Sequence, residues 1–154
     1  MRRVRTWVLA GLLALAFAVL VERCQVSEEE RVEAAWRDLA EAAEQEDAGR
    51  LRGRLVEGFA YRGPRPVGEG ELDEAMEGLR GWWGQAEAIR VIERKLEMDL
   101  EGRVARLEAA TLVRFSWGGG TAVYRVRMIL AMQQVEGRWL LRDLEILEMS
   151  PGIF

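Results

Sequence analysis

The sequence predicts an α+β domain, with three helices packed on a curved antiparallel sheet of four to five strands. Three observations point to it. Apolar residues recur at helical spacing in the first half of the body. The period changes to two after Ala86, and glycine-centred turns then separate long strands. Helices followed by a run of strands pack as two layers around one core.

The elements follow in order. Ser27-Glu28-Glu29-Glu30 is a capping box, with serine at the N-cap and glutamate three residues on. It predicts a helix to about Glu46, whose apolar face is Val32, Trp36, Leu39 and Ala43. Asp47 can cap a second, shorter helix to about Val56, with Leu51 and Leu55 inward. Gly58 ends it, and Phe59 to Arg62 form a short strand. GPRPVGEGE, Gly63 to Glu71, is a loop by its prolines and glycines. A third helix is expected over Leu72 to Trp83, burying Leu72, Ala75, Met76, Leu79, Trp82 and Trp83, with Gly84 as C-cap. LEGRV and VEGRW each place Glu-Gly between strand-like runs, and Gly118-Gly119-Gly120 marks another turn. The strands are then 87–100, 103–117, 121–135 and 138–149.

Composition narrows the chemistry. The chain of 154 residues has a net charge of −4, and the part beyond residue 26 carries −7. An acidic body argues against nucleic acid as a partner, because phosphate backbones need a basic face. The chain has no histidine and a single cysteine, Cys24. That excludes Ser-His and Cys-His nucleophile systems, an internal disulfide and a cysteine-rich metal site. No metal or other cofactor is expected. Lys95 is the only lysine among 22 basic residues, a bias toward arginine without functional meaning.

Residues 1–26 read as a separate segment, ahead of a domain at 27–154. MRRVR precedes the uncharged run Thr6 to Val21. As a helix this run is ~24 Å long, slightly short of a ~30 Å hydrocarbon core. Snorkelling arginines and local thinning can make up the difference. The segment is either an uncleaved membrane anchor or a cleaved signal peptide. Ala16 and Ala18 supply an A-x-A pattern, but a cut there would leave Val19-Leu20-Val21 on the mature chain. The N-terminal arginines favour a single pass through a bacterial inner membrane with the domain outside the cytoplasm. The alternative is a secreted or periplasmic protein. Glu22 and Arg23 before Cys24 argue against lipid attachment there.

The helix ending EQEDAGRL, the following LVEGFAYRGP and the hairpin VEGRWLLRDLEI, in this order, resemble the nuclear transport factor 2-like superfamily. It includes ketosteroid isomerases, scytalone dehydratase and SnoaL-like proteins. The resemblance covers about Ser27 to Met149. It implies a cone-shaped, cystatin-like fold with a pocket, and a homodimer through the outer sheet face. The isomerases are similar in using a tyrosine on the first helix and an aspartate just before a proline. Those positions hold Leu39 and Gly63 here, which can neither donate to an oxyanion nor abstract a proton. The dehydratase relies on histidines. A single N-terminal span before such a domain also resembles, in architecture, the inner-membrane assembly factors of type IV secretion.

No catalytic residue is therefore assigned. Candidates for contact with a small apolar ligand are Tyr61 and Arg62 near the loop mouth, Trp82, Tyr124 and Asp143. Trp36, Trp83, Trp117 and Trp139 could share such a pocket or belong to the core. Asp143 and Glu145 pose a sharper question. By strict alternation they share a face with Trp139, Leu141 and Leu147. A bulge near Arg142-Asp143 would put Leu144 and Ile146 in line with Trp139 and turn both acids outward. The leading functional expectation is a non-catalytic, membrane-anchored, extracytoplasmic binding or assembly module. The alternatives are a small-molecule isomerase- or dehydratase-like enzyme using Asp143 with Tyr61 or Tyr124, and a secreted ligand-binding protein.

Overall fold

The computed structural model describes residues 12–16, which are helical, and 26–152. Most of the apolar run Thr6 to Val21, and Cys24, lie outside the described residues. Among the described residues no helix is long and apolar enough to cross a membrane. The body contains α1 (Glu28–Glu44), α2 (Ala48–Arg52), β1 (Leu55–Arg62), β2 (Glu69–Glu71) and α3 (Leu72–Trp83). The long strands β3 (Ala88–Glu101), β4 (Val104–Trp117), β5 (Gly120–Val135) and β6 (Arg138–Pro151) follow.

The α+β plan holds, but the sheet has six strands and is mixed, in the order β2-β1-β6-β5-β4-β3. β3 to β6 form the expected antiparallel meander. β1 instead pairs parallel with β6, setting Tyr61 beside Leu144 and Arg62 beside Glu145. β2 adds an antiparallel edge to β1. Four or five antiparallel strands is corrected accordingly. The cause is that a parallel partner far along the chain leaves no local turn signal. The second helix also stops early, at Arg52 with Gly53 as its C-cap, so Leu55 opens β1 and does not complete a helical turn.

The Ser27 capping box forms: its hydroxyl accepts from the Glu30 N–H, and the Glu30 carboxylate accepts from the Ser27 N–H. The β5–β6 turn has Glu136 at φ 51° and Gly137 at φ 77°, the left-handed pair that a two-residue hairpin requires.

Strand β6 carries the decisive irregularity. Met132 pairs with Leu141 and Ala131 with Asp143, leaving Arg142 as an extra residue. Leu144 and Ile146 therefore join Trp139 and Leu141 against the core, while Asp143 and Glu145 face outward. A second extra residue, Leu147, lies between the Met128–Ile146 and Arg127–Glu148 pairs. It returns Met149 to the inner face beside Val126.

The helices cover that inner face. Val32, Ala35, Trp36, Leu39 and Ala42 of α1 pack over Leu107, Leu130 and Met132, and α3 adds Leu72, Met76 and Trp83. Each buried indole donates a hydrogen bond that ties α1 down. Trp139 Nε1 reaches Glu28 Oε2 at 3.0 Å, Trp36 Nε1 reaches Glu93 Oε2 at 2.6 Å, and Trp83 Nε1 reaches the Ala43 carbonyl at 3.1 Å. Asp38 adds a charged clip, accepting from Arg50 of α2 and from Arg54 Nε at 2.5 Å, just before β1.

Two consequences are measurable. Deleting Arg142 removes the extra residue and leaves β6 strictly alternating, so Trp139, Leu141, Leu144 and Ile146 keep the inner face and both acids stay outward. The deleted chain is expected to keep its cooperative unfolding transition, and Arg142→Ala to cost less than about 1 kcal/mol; loss of the transition on deletion would contradict the bulge. Burial raises the Asp38 carboxyl, but hydrogen bonds from Arg54 and Arg50, with their positive charges, outweigh this and hold it below 3.8. Its stabilisation is thus present above its unfolded pKa and lost as pH falls through the lower folded value. Asp38→Asn is expected to cost about 1–3 kcal/mol at neutral pH. The difference from wild type shrinks in urea titrations below that folded value, and a constant difference would contradict the clip.

Candidate functional site

Space between the helices and the sheet is occupied by side chains. Trp36, Trp83 and Trp139 are at most 8% exposed, and Met76, Leu107, Leu130 and Met132 are fully buried between them. Three of the tryptophans considered as a pocket lining are therefore core.

A concavity opens instead at the end of the domain where α3 finishes, β4 ends and β5 begins. It is a cleft of about 320 Å³. Trp82 comes from the last turn of α3, followed by Gln85 and Ala86. Phe115 and Trp117 come from β4, Ala122 and Tyr124 from β5, and Met149 from β6. Arg65 and Pro66 close one side from the loop before β2. The period-two alternation of β4 and β5 puts Phe115, Trp117, Ala122 and Tyr124 on the same face. The aromatics are ordered against each other. Trp82 meets Phe115 edge-on at 5.3 Å between centroids, and Phe115 meets Tyr124 edge-on at 5.9 Å. Trp82 remains 39% exposed, so a large apolar surface lies open at the mouth.

Polar groups at the cleft are few. The Arg65 guanidinium, the Gln85 amide and the Tyr124 hydroxyl belong to its lining, and no carboxylate does. Among the described residues neither Arg65 nor the Tyr124 hydroxyl has a protein hydrogen-bond partner, and no cluster of metal-ligating side chains is present. This arrangement can stack a flat apolar group and orient one acceptor. It holds no side chain suited to general-base work at neutral pH.

The residues expected to share a site are divided by the sheet. Trp82 and Tyr124 line the cleft. Tyr61 lies on the inner face of β1, 6.4 Å from Phe59 between ring centroids. Its ring covers Gly70 of β2 so closely that a Cβ there would sit 2.8 Å from the Tyr61 hydroxyl oxygen. Arg62 points outward and binds Glu145 at 2.7 Å, and this partner raises its guanidinium above the ordinary value. Asp143 is also on the outer face, 51% exposed and paired with Arg142 at 2.6 Å. Asp143 and Tyr124 therefore address opposite sides of the sheet. Phe115, Met149, Arg65 and Gln85 were not singled out from sequence. Phe115 could have been found from its pairing with Ala122 once the Gly118-Gly119 turn was centred. Met149 depends on both β6 bulges and carries no local signal.

No family model and no curated protein matches the chain. Solved structures do. A protein assigned as a scytalone dehydratase from Novosphingobium aromaticivorans superposes with a TM-score of 0.72 at 13% identity, over 82% of this chain and 89% of that one. A nuclear transport factor 2-like protein from Cytophaga hutchinsonii gives 0.69 at 12% identity, over 79% and 98%. A hexachlorocyclohexane dehydrochlorinase from Novosphingobium barchaimii gives 0.66 at 11% identity, over 80% and 89%.

Asp143→Asn is expected to change stability by no more than about 0.5 kcal/mol, because it alters a solvated surface pair. A larger loss in chemical denaturation would place that carboxylate against the core. At these identities the likeness extends to the fold and no further: the body has a cystatin-like α+β fold, similar to that of a solved nuclear transport factor 2-like protein.

Proposed function

We propose that the chain is a non-catalytic binding module whose aromatic cleft takes a small, flat, apolar ligand bearing an anionic or hydrogen-bond-accepting group. The carrying observation is the lining itself. Trp82, Phe115, Trp117 and Tyr124 offer stacking faces, while Arg65, Gln85 and the Tyr124 hydroxyl supply orientation without a proton acceptor. The apolar run Thr6 to Val21 supports tethering to a bacterial inner membrane with this module outside the cytoplasm.

The enzyme reading draws its support from the dehydratase and the dehydrochlorinase that share the fold. It needs a base facing a pocket, and fold alone does not supply one. Asp143 faces outward, and the resemblance implies that Leu39 and Gly63 stand where the isomerases carry acid–base groups.

The probe 1-anilinonaphthalene-8-sulfonate combines a fused aromatic ring with a single anionic group. It is expected to bind the full chain saturably, with energy transfer from tryptophan. Trp82→Ala and Arg65→Gln should each weaken it by about fivefold or more, close to 1 kcal/mol. Asp143→Asn should leave it unchanged. Equal affinity in Trp82→Ala and wild type would remove the cleft from the proposal. Alkaline washing of membranes tests the tether separately, since release of a shortened chain would favour the secreted form.

A further inference from the structure

We propose that the outer face of the sheet holds a second site, specific for a phosphate-class anion, near the middle of β4 and β5. A shallow cavity of about 500 Å³ lies there, with Arg94, Arg125 and Arg127 around a floor of Ala110 and Leu112 and with Glu148 at one side. It is on the opposite side of the sheet from the aromatic cleft and does not depend on the reading of that cleft.

The strand register shows why this region is unusual. On the outer face Arg90 stands directly opposite Arg114. In the next row Ile92, Leu112 and Arg125 lie side by side, and in the next Lys95, Ala110, Arg127 and Glu148. Arg94 is the extra residue of a bulge between Glu93 and Lys95. Like charges directly opposite on a sheet destabilise it, so the neighbouring Arg90–Arg114 pair is held at a cost to folding.

Elsewhere on the same face the charges are matched. Glu97 has Lys95 at 2.5 Å, Glu145 has Arg62 at 2.7 Å and Asp143 has Arg142 at 2.6 Å. The arginine region has less. Arg90 has Glu44 at 3.6 Å, and Arg127 shares its charge between Glu108 and, at 4.0 Å, Glu148. Among the described residues Arg94, Arg114 and Arg125 have no carboxylate within 4.0 Å. A chain of net charge −4 does not acquire such a cluster from its overall balance.

The composition is biased toward arginine throughout, so the residue type alone is uninformative. The convergence of three guanidiniums on one cavity is informative. A phosphate group presents enough oxygens to accept from all three, in paired N–H···O bonds. The floor adds a preference. Leu112 and the neighbouring Ile92, 45% exposed, offer apolar contact beside the charge, which suits a phosphate ester with an apolar substituent. A free phosphate ester and an anionic lipid headgroup both present this chemistry.

The test uses the full chain in neutral detergent, titrated with pyrophosphate at low salt by calorimetry. In parallel, the chain is mixed with phosphatidylcholine vesicles with and without phosphatidylglycerol. Saturable pyrophosphate binding is expected, weakened about tenfold in an Arg94→Gln/Arg125→Gln variant with unchanged melting temperature. Added salt should weaken it as well. Glu148→Gln removes the carboxylate lining the cavity and should tighten binding. Pyrophosphate binding with those changes supports a free phosphate ester. A preference for anionic vesicles that the double variant loses, without pyrophosphate binding, supports a headgroup. If neither probe binds, or the double variant binds both as wild type does, the proposal fails. Unaltered binding of the naphthalene sulfonate in the double variant would show the cleft intact, separating this outcome from failure of the first site.

Discussion

Strand β6 decides which side chains the domain buries, through the extra residues Arg142 and Leu147. With unbroken alternation from Trp139, positions 143 and 145 would face the helices and Leu144 and Ile146 would face water. Full burial of such an aliphatic side chain stabilises a fold by about 1.5–3 kcal/mol, and Leu144 and Ile146, both half-buried, gain part of that. Two carboxylates enclosed without partners would cost more than that. The bulges reverse the assignment at the expense of local ladder bonds. The acids then meet Arg142 and Arg62 on the outer face. Leu147 completes the effect by returning Met149 to the inner face, where it lines the cleft. The cleft therefore rests on the same two insertions as the core.

A second constraint keeps the interior closed. Tryptophan supplies large apolar area but brings an N–H that must be satisfied when buried. Trp139, Trp36 and Trp83 meet this requirement at successive points along α1, through Glu28, through Glu93 opposite the helix, and through the Ala43 carbonyl. Glu44 adds a contact to the Val91 N–H at 2.6 Å. The same bonds that satisfy the indoles hold α1 against the sheet. Space for a ligand is thereby left at the open end, where Trp82 has no such anchor and stays partly exposed.

Much of this was legible in the sequence because it depends on short-range rules. The Ser27 capping box, the Leu72–Trp83 helix and the two-residue turn at Glu136-Gly137 are all set by neighbours in the chain. The bulge near Arg142 was legible as a conflict, since neither face of QVEGRWLLRDLEIL was cleanly apolar. The parallel pairing of β1 with β6 was not. It joins Tyr61 to Leu144, and nothing local distinguishes such a strand from a loop-edge segment. The candidate site suffered from the same limit. Tyr61, Arg62 and Asp143 were grouped by chemistry, but Tyr61 faces inward and the other two outward. Only the register separates them.

That separation has a functional consequence along β5. Tyr124 and Arg125 are adjacent in the chain and address opposite sides of the sheet, as do Val126 and Arg127. One strand thus presents an aromatic hydroxyl to an apolar cleft and guanidiniums to a charged cavity. Stacking and dispersion govern the first surface, and ionic hydrogen bonds govern the second. Salt screens the second far more than the first. On the two proposals made above, ligands of different chemistry would meet opposite faces of a single sheet, with backbone hydrogen bonds of β5 shared between both supports. The alternation that makes β5 a half-buried strand is what makes two sites compatible with one core.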